Sequence, residues 1–286
     1  MSYRIITDTC CDFPQQMYEE LNLSVVPLSL NFGEQVYSDF PEEVLKKVYT
    51  GLRAGAAAST SAANPETWAA AIRPVLEQGE DALVMAFSSG LSTTYQSAVI
   101  AANDLLEEFP GRTVKVVDTL AASMGQGLFV WYACKNRDAG MSLEDLAQWC
   151  EDHKQNMAHW FTVDDLMYLK RGGRVSAATA IVGTMLQIKP VLHVDSKGHL
   201  VSVGKARGRK ASLDALAKKM EETGLSGEND TIFISHGDCL EDAQYLGEVL
   251  KKKCGVKNVV ISYIGGVIGS HAGPGTVALF FLGSHR

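Results

Sequence analysis

Ser88, Ser89, Ser92, Thr93 and Thr94 crowd into FSSGLSTTYQSA, residues 87–98, between an apolar run and a long helical pattern. Hydroxyls at that density can supply a nucleophile, cradle a phosphate, anchor another anion or cap a helix. A second group, Ser59, Thr60 and Ser61, precedes Asn64 and Pro65, which already provide the cap and first turn of the next helix. With no capping role, those hydroxyls read either as ligand contacts or as a solvated loop. His271 stands in GSHAGPGT, where Gly273-Pro274-Gly275 predicts a tight turn. A histidine on such a loop can donate to an anion or relay a proton near neutral pH. KARGRK, residues 205–210, is a solvated strand end or offers an arginine to a phosphate or an acidic partner site. In LKRGGRVS, residues 169–176, the glycine pair implies a close backbone approach or a positive-φ turn.

Several chemistries are excluded or demoted by what is missing. A serine acyl hydrolase would pair Ser92 with His271, but Gly90-Leu91-Ser92-Thr93-Thr94 lacks the second glycine of a nucleophile elbow, so hydrolysis is the alternative reading. Neither GxxxxGK[ST] nor GxGxxG follows a strand, which argues against a nucleotide site within the chain. His153/His159 and His193/His199 are each six apart, and no cysteine or carboxylate cluster completes a metal site. A net charge of −7 argues against nucleic acid as a partner. Six cysteines without a CxxC, and no apolar signal core, point to reduced thiols and a cytoplasmic location. The longest uncharged apolar stretch, Thr119 to Cys134, is interrupted by Ser123, Gly125, Gln126 and Gly127, so no membrane span is expected.

The elements that must position these side chains alternate strand and helix through the first half. YRIITD, SVVPLSL, DALVMAF and TVKVVDT read as strands, with helices through QQMYEELNL, PEEVLKKVYTGLR, the run from Asn64, QSAVIAANDLLEEF, ASMGQGLFVWYA and MSLEDLAQWCEDH. Asp12 is read as a helix N-cap, and AGAAASTSA as a loop of small residues. Such alternation is the signature of βαβ units around a parallel sheet. Three strands end in Asp8-Thr9, Ser88–Ser92 and Asp118-Thr119, and ligands bind outside the carboxyl ends of parallel strands. The carboxylates there read as caps or loop acceptors, since they would repel an anion.

From about Met157 the pattern changes to MAHWFTV, a short helix through DDLMYLKRGG, and a hairpin in IKPVLHVDSKGHLVSVGKA. Two strand-and-helix pairs are expected to follow: DTIFISHGD with LEDAQYLGEVLKKK, and VKNVVISYIGG with TVALFFLG. The expected fold class is therefore α/β in two domains. Residues 1–156 form a parallel-sheet, Rossmann-like unit bearing the hydroxyl cluster, and 157–286 a mixed or antiparallel-sheet α/β unit bearing Arg207 and the His271 loop.

Taken in order, DTCCDFP, STSAANP, FSSGLSTTYQSA, VVDTLAASMGQG, YLKRGGRVS, IKPVL, KARGRKA and IGSHAGPG resemble the DegV family across nearly the whole chain. That resemblance implies a DegV-like two-domain fold enclosing one long-chain fatty acid, with no other cofactor and no complete active site of its own. A separate ATP-binding fatty acid kinase subunit would phosphorylate the carboxylate to an acyl phosphate used in phospholipid metabolism. The resemblance maps Thr60, Ser92 and His271 as carboxylate contacts and Arg207 as the residue that engages the kinase. Ser61 and Thr93, where this chain departs from the usual spacing and glycine, stand as additional candidate contacts. Hydroxyls, a helix N-terminus and an imidazole can hold a carboxylate without a fully paired buried cation. Burying about sixteen carbons at ~0.8 kcal/mol per methylene gives on the order of 10 kcal/mol of gross driving force, so the apolar tunnel would dominate affinity.

Overall fold

The computed structural model describes residues 2–175 and 187–286. Its first half is built on strands β1 (Tyr3–Asp8), β2 (Ser24–Val26), β3 (Ser29–Phe32), β4 (Gln35–Tyr37), β5 (Ala58–Ser61), β6 (Asp81–Ala86) and β7 (Val114–Asp118). The helices among them are α1 (Gln15–Glu20), α2 (Glu42–Arg53), α3 (Pro65–Glu77), α4 (Thr94–Glu108), α5 (Met124–Asp138) and α6 (Leu143–His153). The second half contributes β8 (Met157–Thr162), α7 (Met167–Arg171), β9 (Ile188–Val194), β10 (Leu200–Arg207), α8 (Arg209–Thr223) and β11 (Thr231–His236). It closes with α9 (Leu240–Cys254), β12 (Asn258–Tyr263), α10 (Gly266–Ala272) and β13 (Val277–Leu282).

Among the described residues, these strands form three sheets. A parallel sheet runs in the order β2-β1-β6-β7, as the alternation of strand and helix requires. A mixed sheet runs β10-β9-β8-β13-β11-β12, antiparallel except for its β11/β12 edge. A small antiparallel sheet, β4-β3-β5, lies beside them.

Helix α5 is the hinge of the architecture, because it is apolar on nearly every face. Its Met124, Phe129 and Cys134 share one core with Leu83 and Met85 of the parallel sheet and with Phe161, Phe233 and Phe280 of the mixed sheet. A helix hydrophobic all round must be buried all round. Helices α3 and α4 cover the other face of the parallel sheet, and α8 and α9 the other face of the mixed sheet. The GQG of the sequence makes this close packing possible: a side chain at Gly125 would collide with His159 and Phe280, and one at Gly127 with Phe13.

The cap read at Asn64 holds, accepting from Thr67 N–H at the start of α3, and Ser142 accepts from Asp145 N–H at the start of α6. Five expectations are corrected. AGAAASTSA is not all loop, since Ala58–Ser61 forms β5 and pairs with β3; a short strand of small, half-exposed residues carries no alternating apolar signal. SVVPLSL is not one strand, because Pro27 separates β2 from β3, which join different sheets. TVALFFLG is not a helix but β13, fully buried inside the mixed sheet, where a continuous apolar run has no strand periodicity. The helix preceding it is Gly266–Ala272, so His271 lies in the last turn of α10 and not on a loop. Asp12 likewise caps no helix; it ends a short 3-10 turn, Thr9–Cys11, with φ 52°.

Candidate functional site

The cavity that collects the sequence candidates lies between the parallel sheet's carboxyl ends and the mixed sheet, with a volume of about 750 Å³. That size suits a small-molecule site. Phe161, Val194, Leu200, Ala278 and Phe280 form an apolar floor on the mixed sheet, and Val267 and Ile268 of α10 and Leu28, Phe87 and Leu91 close the sides.

One end is polar. Thr60 Oγ1 and His271 Nε2 are 2.8 Å apart, joining β5 to the last turn of α10. Burial, then the nearby Arg174 guanidinium, lowers the His271 pKa to about 4, so the ring is neutral near pH 7. The ring packs directly on Gly172, where a Cβ would strike Nδ1; the glycine pair of LKRGGRVS thus marks a close approach, as its composition implies. Arg174 donates to Gly172 O and, at 3.1 Å, to Leu91 O, which ties this corner to the loop ahead of α4. Next along that loop, Ser92 Oγ accepts from Thr94 N–H at 3.2 Å and meets Thr94 Oγ1 at 2.8 Å. Ser92 is therefore a cap for the first residue of α4 and also part of the cavity wall. Tyr95 and Gln96, whose first-turn amides have no intrahelical acceptor, line the same wall.

All three principal candidates, Thr60, Ser92 and His271, line this cavity, with Ser61 and Thr93 beside them. Arg207 does not; it is the exposed last residue of β10, outside the cavity, and makes no ion pair among the described residues. The remaining residues of FSSGLSTTYQSA divide their work. Ser88 is buried and donates to Gly198 O at the tip of the β9–β10 hairpin, whereas Asp118 accepts from Ser89 and Leu120 N–H. Asp8 accepts from Cys10 and Phe87 N–H. Asp8 and Asp118 are loop acceptors, as expected.

Ser92 and His271 do not form a nucleophile–base pair. The serine hydroxyl is engaged with Thr94 and the imidazole Nε2 with Thr60, and no hydrogen bond joins the two among the described residues. The geometry favours binding an anion over attacking a carbonyl.

Sequence reading singled out no role for Arg174, Ser123 or His159, all of which line the cavity. Arg174 was visible only as part of a basic, glycine-containing run. His159 is buried, and burial first and Arg286 next lower its pKa to about 3. Its Nδ1 donates to Met157 O, and its Nε2 accepts from Ala122 N–H at 3.3 Å. Nothing in the sequence brings residues 122, 123 and 159 together; the packing of α5 on the mixed sheet does.

Residues 2–284 match the family described as uncharacterised DegV proteins. The chain belongs to the DegV family. A DegV domain-containing protein of Clostridium perfringens is 43% identical over 284 residues, covering 99% of this chain and 98% of its own. Among solved structures, a DegV family protein from Thermus thermophilus, described for its fatty acid binding, is 35% identical with a TM-score of 0.87. It covers 98% of this chain and 99% of its own. A Thermotoga maritima protein described as having a fatty acid binding function is 29% identical with a TM-score of 0.86, covering 98% of each chain. The DegV fold is thus the fold of this chain, mixed α/β with a parallel sheet and further sheets.

Proposed function

We propose that this DegV family chain binds one long-chain fatty acid, its acyl chain in the apolar cavity and its carboxylate at the corner formed by Thr60, Ser92 and His271. The observation that carries this reading is the meeting of the Thr60–His271 pair, the α4 N-terminus and Arg174 at one end of an otherwise apolar cavity. A carboxylate there accepts from the two hydroxyls, from a neutral imidazole N–H and from first-turn amides, while Arg174 supplies a positive potential. Ser61 and Thr93 widen the set of donors. The relatives of known structure that bind fatty acids support the ligand class.

The chain acts in this reading as a carrier, without a complete active site of its own, in the cytoplasm. It presents the carboxylate to a separate ATP-dependent kinase subunit that forms the acyl phosphate, and Arg207, exposed beside the α8 N-terminus, meets that subunit. The division into 1–156 and 157–286 places the hydroxyls on one unit and His271 and Arg207 on the other. Organic extraction of the purified protein followed by mass spectrometry tests the ligand: stoichiometric fatty acid is expected, and its repeated absence with no uptake on supply overturns the reading. The kinase step is tested with the loaded protein, a fatty acid kinase subunit and ATP. Arg207→Ala is expected to lower acyl phosphate formation without lowering fatty acid affinity.

A further inference from the structure

Ser123, the residue before α5, has φ 55° and ψ −149°, in a region that is nearly glycine's alone. Non-glycine residues hold such angles only when their surroundings impose them, and they gather at functional sites. Ser123 is only 4% exposed, and it forms part of the cavity wall. A glycine would take these angles without strain; what the serine adds is its hydroxyl.

That hydroxyl donates to Asp12 Oδ2 at 2.5 Å and meets Ser235 Oγ at 2.9 Å. Asp12 Oδ1 lies against Gly265, where a Cβ would strike it, and Gly265 is the cap residue of α10, whose last turn carries His271. Six residues of helix at ~1.5 Å each set Gly265 roughly 9 Å along the α10 axis from His271. When Asp12 is ionised the Ser123 proton is committed to it, and the Ser123 oxygen then offers lone pairs, one to Ser235 and one to the cavity. The carboxyl oxygens of Asp12 and Asp8 and the neutral His159, which takes the Ala122 N–H, are acceptors, and the nearby Arg286 guanidinium is already bound to the Thr119 and Leu120 carbonyls. A neutral hydrogen-bond donor fits.

We propose that Ser123 is a polar subsite that accepts a hydrogen bond from a hydroxyl carried mid-chain by the bound acid, so that the cavity selects hydroxylated fatty acids over their keto analogues. This rests on the reading of the cavity as an acyl-chain site. A ketone brings only another acceptor to this point, whereas an alcohol brings the missing donor.

Competitive binding of stearic acid, mid-chain hydroxystearic acid and the matching ketostearic acid to the full chain decides it. The hydroxy acid is expected to bind at least as tightly as stearic acid and about tenfold more tightly than the keto acid. In Ser123→Gly, which also relieves the backbone, the preference for hydroxystearic over stearic acid is expected to fall about tenfold. Equal binding of alcohol and ketone by the natural chain overturns the proposal, as does an unchanged hydroxystearic-to-stearic ratio in Ser123→Gly. Binding of stearic acid without hydroxyl preference overturns this inference alone; failure of all three acids to bind overturns the fatty acid reading with it.

Discussion

Thr60 Oγ1 and His271 Nε2 lie 2.8 Å apart although 211 positions separate them in the chain. The contact joins an edge strand of the small antiparallel sheet to the helix ahead of β13, and it closes the polar corner of the cavity.

Replacing Thr60 by Val keeps a β-branched residue in β5 and removes only the hydroxyl. Fatty acid affinity is expected to fall about tenfold, the worth of a charge-assisted hydrogen bond, and stability by about 1 kcal/mol, since His271 Nε2 loses its partner. Isothermal titration with a long-chain fatty acid, beside a denaturation curve, separates the two effects. Unchanged affinity would remove Thr60 from the carboxylate site.

Gly172 is held against His271, and a methyl group there overlaps Nδ1. Gly172→Ala is expected to displace the imidazole and destabilise the fold by about 1–3 kcal/mol, the usual range for overpacking. Fatty acid retention should fall with it. Gly111, where a Cβ meets nothing, serves as the control: Gly111→Ala leaves retention as in the parent.

Ser92→Ala removes the acceptor for Thr94 N–H at the start of α4, and a loss of about 0.5–2 kcal/mol is expected, as for other caps. Lower fatty acid affinity should accompany it. Neither the parent nor the variant is expected to hydrolyse an acyl ester; turnover that Ser92→Ala abolishes would restore the hydrolase.

Burial raises the Asp12 carboxyl from 3.8 to about 7, against the opposing hydrogen bond from Ser123. The folded state therefore favours the protonated form. Its contribution to stability is complete below the unfolded value of 3.8 and is lost as pH rises through about 7. His159, His236 and His271, lowered to about 3, 4 and 4, pull the other way: their stability is complete above 6.5 and lost as pH falls toward those values. The informative quantity is thus the parent minus Asp12→Asn, followed by urea denaturation from about pH 4 to about pH 8. The parent is expected to lose stability relative to Asp12→Asn across that window, and a difference independent of pH would mean that Asp12 does not titrate in it.

Much of the site was legible because local chemistry fixed it. The helix following Asn64-Pro65, the hydroxyls at strand ends and the glycine pair before Arg174 each carry a reason within a few residues, and alternating strand and helix requires the parallel sheet. The order of the motifs identified the family. What misled were segments whose conformation their neighbours decide: β5, whose small residues become a strand by pairing with β3, and β13, whose apolar run is a strand because it is buried between β8 and β11. His271 moved from loop to helix for the same reason, since seven residues with two glycines form α10 chiefly by packing between α2, α7 and the small sheet.

The sequence by itself determined the fold class, the family and the candidates Thr60, Ser92 and His271, because propensity, capping and motif order are properties of short stretches. Only the tertiary structure decided that Thr60 reaches His271, that Arg174 stands beside them, and that Ser123, backed by Asp12, opens onto the same cavity. Those relationships depend on α5 being buried between two sheets and α10 lying along the cavity, and contacts between distant residues appear only when the whole chain is packed.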